Sequence, residues 1–206
     1  MRILADATLL DGILRVPSRA RGIVLFAHGS GSSRHSPRNQ FVANALHETG
    51  IATLLMDLLT PDEDRDYARR FDIGLLTQRL VATMRWVQRH AATARMQIGL
   101  FGASTGAAAA LQAAALEGHT VVAVVSRGGR PDLAGDPALR GVVSPTLLIV
   151  GGLDHVVIDL NQAAYGLLQC KKRFDIVPGA THLFEEPGTL EEVARLARLW
   201  FVEYLE

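Results

Sequence analysis

Five short apolar runs recur along the chain, at residues 22–27, 51–56, 97–101, 121–125 and 146–150, with a weaker one at 173–177. Each has the length of a strand, and continuous apolar character without alternation is what a strand covered on both faces requires. The intervening segments carry helical patterns at 37–49, 66–92, 104–117, 157–170 and 189–204. In the last of these Leu190, Val193, Ala194, Leu196, Ala197 and Trp200 share one face. Strand alternating with helix at crossover spacing predicts an α/β fold: a mainly parallel central sheet with helices on both faces.

Ahead of the first buried run, residues 3–16 are short and partly alternating, with Asp11-Gly12 as the apparent turn, so an N-terminal antiparallel hairpin of two edge strands is expected. At 206 residues, 49% of them hydrophobic, the chain suits one core, and a single domain over 1–206 is expected. Only about 20 residues separate the run ending at Val125 from the one starting at Thr146, too few for a helical cap, so the site is expected to be open and shallow.

Composition removes several classes of function. The 21 basic and 21 acidic residues balance, and no basic stripe with interleaved aromatics is present to track nucleic acid. One cysteine, Cys170, leaves neither an internal disulfide nor a cysteine-rich zinc site, and no paired histidines suggest a metal. No phosphate-loop or dinucleotide fingerprint occurs. The first residues lack the continuous apolar core of a secretory signal, and no run approaches a membrane span. A cytoplasmic protein acting on a small molecule, with no cofactor, no nucleic acid and no membrane partner, is the expectation.

In a parallel sheet, ligands bind beyond the carboxyl ends of the strands. Three such ends bear complementary chemistry. Ser104 stands in Gly102-Ala103-Ser104-Thr105-Gly106, between a strand and an alanine-rich helix; Asp154 follows the run at 146–150; His182 follows the weak run at 173–177. A serine hydroxyl is a poor nucleophile until a base removes its proton, an imidazole titrates in the right range, and a carboxylate fixes the imidazole's tautomer. The order Ser, Asp, His is that of a nucleophile elbow on an α/β-hydrolase sheet. For the oxyanion, Thr105 N–H at the first helical turn is one donor. Ser30 N–H, in His28-Gly29-Ser30-Gly31, is the expected second. The competing reading makes Ser104 an ordinary helix N-cap. Asp159 is a rival to Asp154, but it lies within a helical segment and is expected to be solvated.

The stretches AHGSGSSRHSPRN, GLFGASTGAAAAL, VVSRGGRPDLAG, LLIVGGLDHVV and PGATHLFEEPG resemble the small, capless α/β-hydrolases related to dienelactone hydrolase, some of which are fused to phosphoribosyltransferase domains. The resemblance covers nearly the whole chain. It implies Ser104 as nucleophile, Asp154 as acid, His182 as base, and backbone N–H of Thr105 and Ser30 as the oxyanion hole. Dienelactone hydrolases carry cysteine where this chain has Ser104, so their substrate is not carried over.

The reading is therefore a serine hydrolase of carboxylic esters or lactones. The alternatives are a thioesterase or small-peptide hydrolase with the same triad, and a binding module on the same scaffold.

Among the remaining polar residues, His28 is expected to position the glycine loop, while His35 and His155 flank the site. His47, His90 and His119 are expected to face solvent. Arg34, Arg38, Arg127 and Arg130 lie at strand ends, where they bind either carboxylates of this chain or a substrate carboxylate. Arg127, His35 and Arg34 are the candidate substrate contacts. The acidic run at 61–66 reads as a solvated stretch or a partial lip over the site.

Overall fold

A computed structural model describes residues 1–205. Eight strands form one sheet: β1 (Arg2–Ala5), β2 (Thr8–Arg15), β3 (Gly22–Ala27), β4 (Ala52–Met56), β5 (Gln97–Ala103), β6 (Val121–Arg127), β7 (Thr146–Gly151) and β8 (Lys172–Val177). Their order is β1-β2-β4-β3-β5-β6-β7-β8. The pairings from β4 through β3 to β8 are parallel, while β2 is antiparallel to both β1 and β4. Six α-helices accompany them among the described residues: α1 (Pro37–His47), α2 (Ile73–Arg89), α3 (Thr105–Glu117), α4 (Asp136–Gly141), α5 (His155–Leu167) and α6 (Thr189–Leu205).

The sheet divides the apolar interior in two. On one face α1 and α6 cover Val24, Phe26, Phe101, Val125 and Ile149, with Trp200 and Phe201 of α6 packed among them. On the other, α2, α3 and α5 cover Ile23, Leu25, Leu100, Val124 and Leu148. Residues 23–27 thus alternate between two cores, which is why the run is apolar throughout. No helix among the described residues is long and apolar enough to cross a membrane.

Three expectations need correction. The hairpin turns at Asp6-Ala7, with Asp6 at φ 53°, and not at Asp11-Gly12. Asp11-Gly12 lies inside β2, which is an inner strand, so of the two hairpin strands β1 alone lies at an edge of the sheet. Gly12 serves packing: a Cβ there would lie 2.5 Å from Ile3 Cδ1. The long helix expected over 66–92 begins at Ile73, because the Asp72 carboxylate accepts from Leu75 N–H and caps it, leaving short 3₁₀ turns before it. His47 and His90 do not simply face solvent. His47 Nε2 is 2.7 Å from Thr53 Oγ1, and the His90 ring stacks on Trp86 at 4.5 Å between centroids.

Candidate active site

The turn between β5 and α3 is tightly constrained. Ser104 has φ 50° and ψ −123°, a combination that L-residues avoid. Two glycines make it possible. A Cβ on Gly102 would lie 2.4 Å from Ala107 Cα, and one on Gly106 would lie 2.2 Å from Ala27 O. Beyond the turn, residues Ala107 to Ala110, Leu111, Ala113 and Ala114 are wholly buried, so small side chains let α3 lie close against the sheet.

Ser104 stands at the N-cap position of α3, but its hydroxyl makes no cap bond to the helix. Its backbone N–H donates to Arg127 O at 3.3 Å, and its carbonyl accepts from Ala107 N–H and Arg130 N–H, each at 3.1 Å. Gly29 lies against it, since a Cβ there would be 2.9 Å from Ser104 Cβ.

Asp154 and His182 meet at the next strand ends. Asp154 Oδ2 is 2.6 Å from His182 Nδ1; the carboxylate is largely shielded and the imidazole partly open. Backbone bonds hold the two loops together: Leu153 N–H donates to Ala180 O at 2.9 Å, and Gly152 N–H donates to Val177 O at 2.8 Å. Gly151 permits this contact, because a Cβ there would be 2.5 Å from Ala180 O. Glu186 steadies the histidine loop by accepting from Thr181 N–H and Thr181 Oγ1. A Cβ on Gly128 would lie 3.6 Å from His182 Cε1, so the imidazole sits beside the residue that follows Ser104's backbone partner, Arg127. Among the described residues no hydrogen bond joins Ser104 Oγ to His182.

On the glycine loop, His28 takes the positioning role. Its Nδ1 is 2.9 Å from Gly29 O, and its Nε2 accepts from Leu58 N–H at 3.2 Å, so the neutral Nδ1–H tautomer satisfies both bonds. Burial pushes the imidazole below its ordinary pKa, opposed by the Gly29 carbonyl and by the charges of Asp57 and Asp64. Ser30 N–H is already engaged, donating to Thr105 Oγ1 at 2.9 Å. The β3 loop and the start of α3 are thereby tied, a link that the sequence reading missed.

The arginines separate sharply. Arg34 donates to Asp57 through both its backbone N–H and its guanidinium, and lies 3.8 Å from Asp11, so it is held as a structural ion pair and is withdrawn as a substrate contact. Arg130 forks onto Asp132 at 2.7 and 2.8 Å, and Arg38 Nη1 donates to Glu185 Oε1 at 3.1 Å. Arg127 is different: buried at the end of β6, its Nε and Nη1 lack partners among the described residues. His35 is exposed, with its backbone N–H on Ser33 Oγ at 3.2 Å. His155 and Asp159 are also exposed, on α5.

The acidic run at 61–66 is tied to neighbouring arginines: Glu63 to Arg79 and Arg69, Asp64 to Arg70. Asp64 and Arg70 nevertheless line a recess of about 10 Å³ with Ser30 and Thr105, so this stretch rims the glycine loop. The larger depression, about 670 Å³, lies around Arg21, Arg95 and Met96 at the amino ends of the strands, away from Ser104. The chemistry therefore faces an open surface. Among the described residues no cluster of histidine, cysteine or carboxylate side chains could hold a metal.

The strand order, the strained turn after β5 and the short β6 to β7 connection define an α/β-hydrolase without a cap domain among the described residues. No protein-family model matches the chain. The dienelactone hydrolase from Anabaena variabilis is 54% identical, with a TM-score of 0.97 over 100% of this chain and 97% of that one. The chain belongs to the dienelactone hydrolase family. An α/β serine hydrolase from Xanthomonas campestris, described as without a lid, shares the fold at TM-score 0.78 and 20% identity, over 100% of this chain and 94% of that one. Proteins from two strains of Mycobacterium tuberculosis are 58% identical over 205 residues and bear the provisional name of phosphoribosyl transferase. The chain spans 46% of their length.

Proposed function

We propose that the protein is a serine hydrolase that cleaves carboxylic esters or lactones by acyl transfer. The observation that supports this best is the 2.6 Å contact of His182 Nδ1 with Asp154 Oδ2 beside the strained turn that presents Ser104. In this reading Ser104 Oγ attacks the carbonyl carbon while His182 Nε2 takes the hydroxyl proton, and Asp154 stabilises the imidazolium. His182 then returns the proton to the leaving oxygen. Water attacks the acyl-enzyme in the second half, giving its proton to His182 and restoring the Ser104 hydroxyl.

Thr105 N–H, at the amino end of α3, and Ser30 N–H are the donors for the oxyanion. Because Ser30 N–H rests on Thr105 Oγ1, the oxyanion shares or takes over that donor as it forms. A thioester or small peptide would meet the same groups, since the fold does not fix the leaving group. The name borne by the Mycobacterium tuberculosis proteins belongs to chains about twice as long as the matched stretch, and phosphoribosyl transfer does not follow from this arrangement.

A fluorophosphonate probe tests the reading. Labelling of Ser104 in the folded protein, absent in Ser104→Ala, is expected, together with turnover of p-nitrophenyl esters or lactones that the same variant loses. An unlabelled Ser104 would favour a binding module. Faster turnover of acyl thioesters than of oxygen esters would favour the thioesterase.

A further inference from the structure

The buried positions of α5 are Val157, Asn161 and Ala164, spaced as one stripe of a helix that faces the interior. Asn161, in the middle of that stripe, is wholly buried, where an apolar side chain would be desolvated at no cost. Asparagine also favours a helix less than leucine does. The bonds it makes offset these costs. Its Nδ2 donates to Val157 O at 2.8 Å, one turn back on α5, and to Gly129 O at 2.9 Å, 32 residues away. Both acceptors are backbone carbonyls, so only one orientation of the amide satisfies them, with the nitrogen toward them. Asn161 Oδ1 has no partner among the described residues, so the amide serves the fold as a donor.

Gly129 belongs to a short segment, 127–130, that grips the nucleophile. Arg127 O accepts the Ser104 N–H and Arg130 N–H donates to the Ser104 carbonyl, so one stretch of chain holds both backbone polar groups of a residue at φ 50°. Gly128 N–H ties the start of that stretch to Ile149 O of β7 at 2.8 Å. Gly128 also lies against the imidazole loop, since a Cβ there would be 3.3 Å from His182 O and 3.6 Å from His182 Cε1. Asn161 is the one side chain bonded to the backbone of 127–130 among the described residues. The helix that supplies it begins at His155, directly after Asp154.

We infer that Asn161 is a positioning residue for acyl transfer: its amide clamps Gly129, and through residues 127–130 it fixes Ser104 relative to His182. The inference rests on the hydrolase reading and adds to it a residue that touches no substrate. Without the clamp, Gly129 O is left unpaired in the interior and the segment shifts to recover a partner. A misplacement of about 1 Å costs about a hundredfold in rate. That loss falls on the chemical step and leaves binding as it was.

The test uses Asn161→Leu, which is close in volume and has no donor, and follows fluorophosphonate labelling of Ser104 per folded molecule over a range of probe concentrations. The labelling rate at saturation is expected to fall by about a hundredfold, with the half-saturating concentration within about twofold of wild type. Hydrolysis of p-nitrophenyl butyrate should fall with it. Hydrogen exchange of the Arg130 amide, read by NMR, should quicken by about tenfold or more in the variant. Ser126→Ala is the control: its buried hydroxyl has no partner and lies beside Gly129, so the change alters packing there, keeps the Asn161 bond and should label at the wild-type rate. If Asn161→Leu does not fold, Asn161→Asp replaces it, keeping the shape while turning an oxygen toward Gly129 O, with the same losses expected.

An Asn161 variant that is less stable yet labels at the wild-type rate per folded molecule would overturn the inference. So would an equal loss in Ser126→Ala, or a loss confined to the half-saturating concentration. If wild type itself neither labels nor hydrolyses the ester, the hydrolase reading fails, while the Arg130 exchange still decides whether Asn161 holds the segment around Ser104.

Discussion

Asp154 Oδ2 stands 2.6 Å from His182 Nδ1, and this contact joins the turn after β7 to the loop after β8. A carboxylate there keeps the proton on Nδ1 and leaves Nε2 free to accept one from a serine. Asp154→Asn offers the ring either an amide N–H or a carbonyl and no longer imposes that tautomer. The expected result is a fall in kcat of about 10⁴-fold. Because the backbone bonds Leu153 N–H to Ala180 O and Gly152 N–H to Val177 O do not depend on this side chain, urea unfolding should show a folded protein.

The backbone of Ser104 holds a second consequence. At φ 50° and ψ −123° a side-chain-bearing residue stores strain of about 1–3 kcal/mol, which glycine does not. Ser104→Gly is expected to raise the unfolding free energy by about 1 kcal/mol while abolishing hydrolysis and probe labelling. Ser104→Ala should abolish both without that gain, because the Cβ and its strain remain. Denaturant melts of the two variants measure the difference, and identical stability would show that the turn is relaxed.

Much of this geometry is legible in the sequence because it depends on local chemistry. A strand buried on both faces must read as an unbroken apolar run, and a turn pressed between a strand and a helix must use residues such as Gly102 and Gly106. What the sequence does not disclose depends on who meets whom across the fold. Asp11-Gly12 has the chemistry of a turn, yet Ile3 and Leu54 pack against Gly12 inside a strand. The bond from Ser30 N–H to Thr105 Oγ1 joins residues 75 positions apart. Arg34 and Arg127 look alike as strand-end arginines, and only the fold places Asp57 beside one and Arg38 beside the other.

His28 makes acid sensitivity a further expectation. Its imidazole is held neutral by burial, with a folded pKa below the ordinary 6.5. His47 is lowered in the same sense by partial burial and by the charge of Arg15. As the pH falls below 6.5, the unfolded chain takes up protons that the folded one refuses, so the stability from these groups is complete above that pH and is lost below it. Lowered carboxylates such as Glu63 act only around and below their ordinary 4.5. The unfolding free energy should therefore decline between pH 7 and about 5. His28→Asn should flatten the decline, and an unchanged slope would count against His28 as its source.

Two glycines on helices provide the sharpest contrast in tolerance. A Cβ on Gly106 would lie 2.2 Å from Ala27 O and 2.5 Å from His28 O, both backbone atoms at the end of β3 where the glycine loop begins. Neither can turn aside as a side chain could, so Gly106→Ala must push α3 away from the sheet. The expected cost is about 3 kcal/mol or more, with loss of activity because Ser104 moves relative to Ser30. On α5, a Cβ on Gly166 would meet nothing within 4 Å, and the residue is exposed in a helix. Gly166→Ala should therefore stabilise the protein by about 0.5–1 kcal/mol with activity unchanged, through the lower backbone entropy of the unfolded chain. Urea titrations with an esterase assay check both, and a Gly106→Ala protein as stable and active as wild type would show that α3 does not need its close approach to β3.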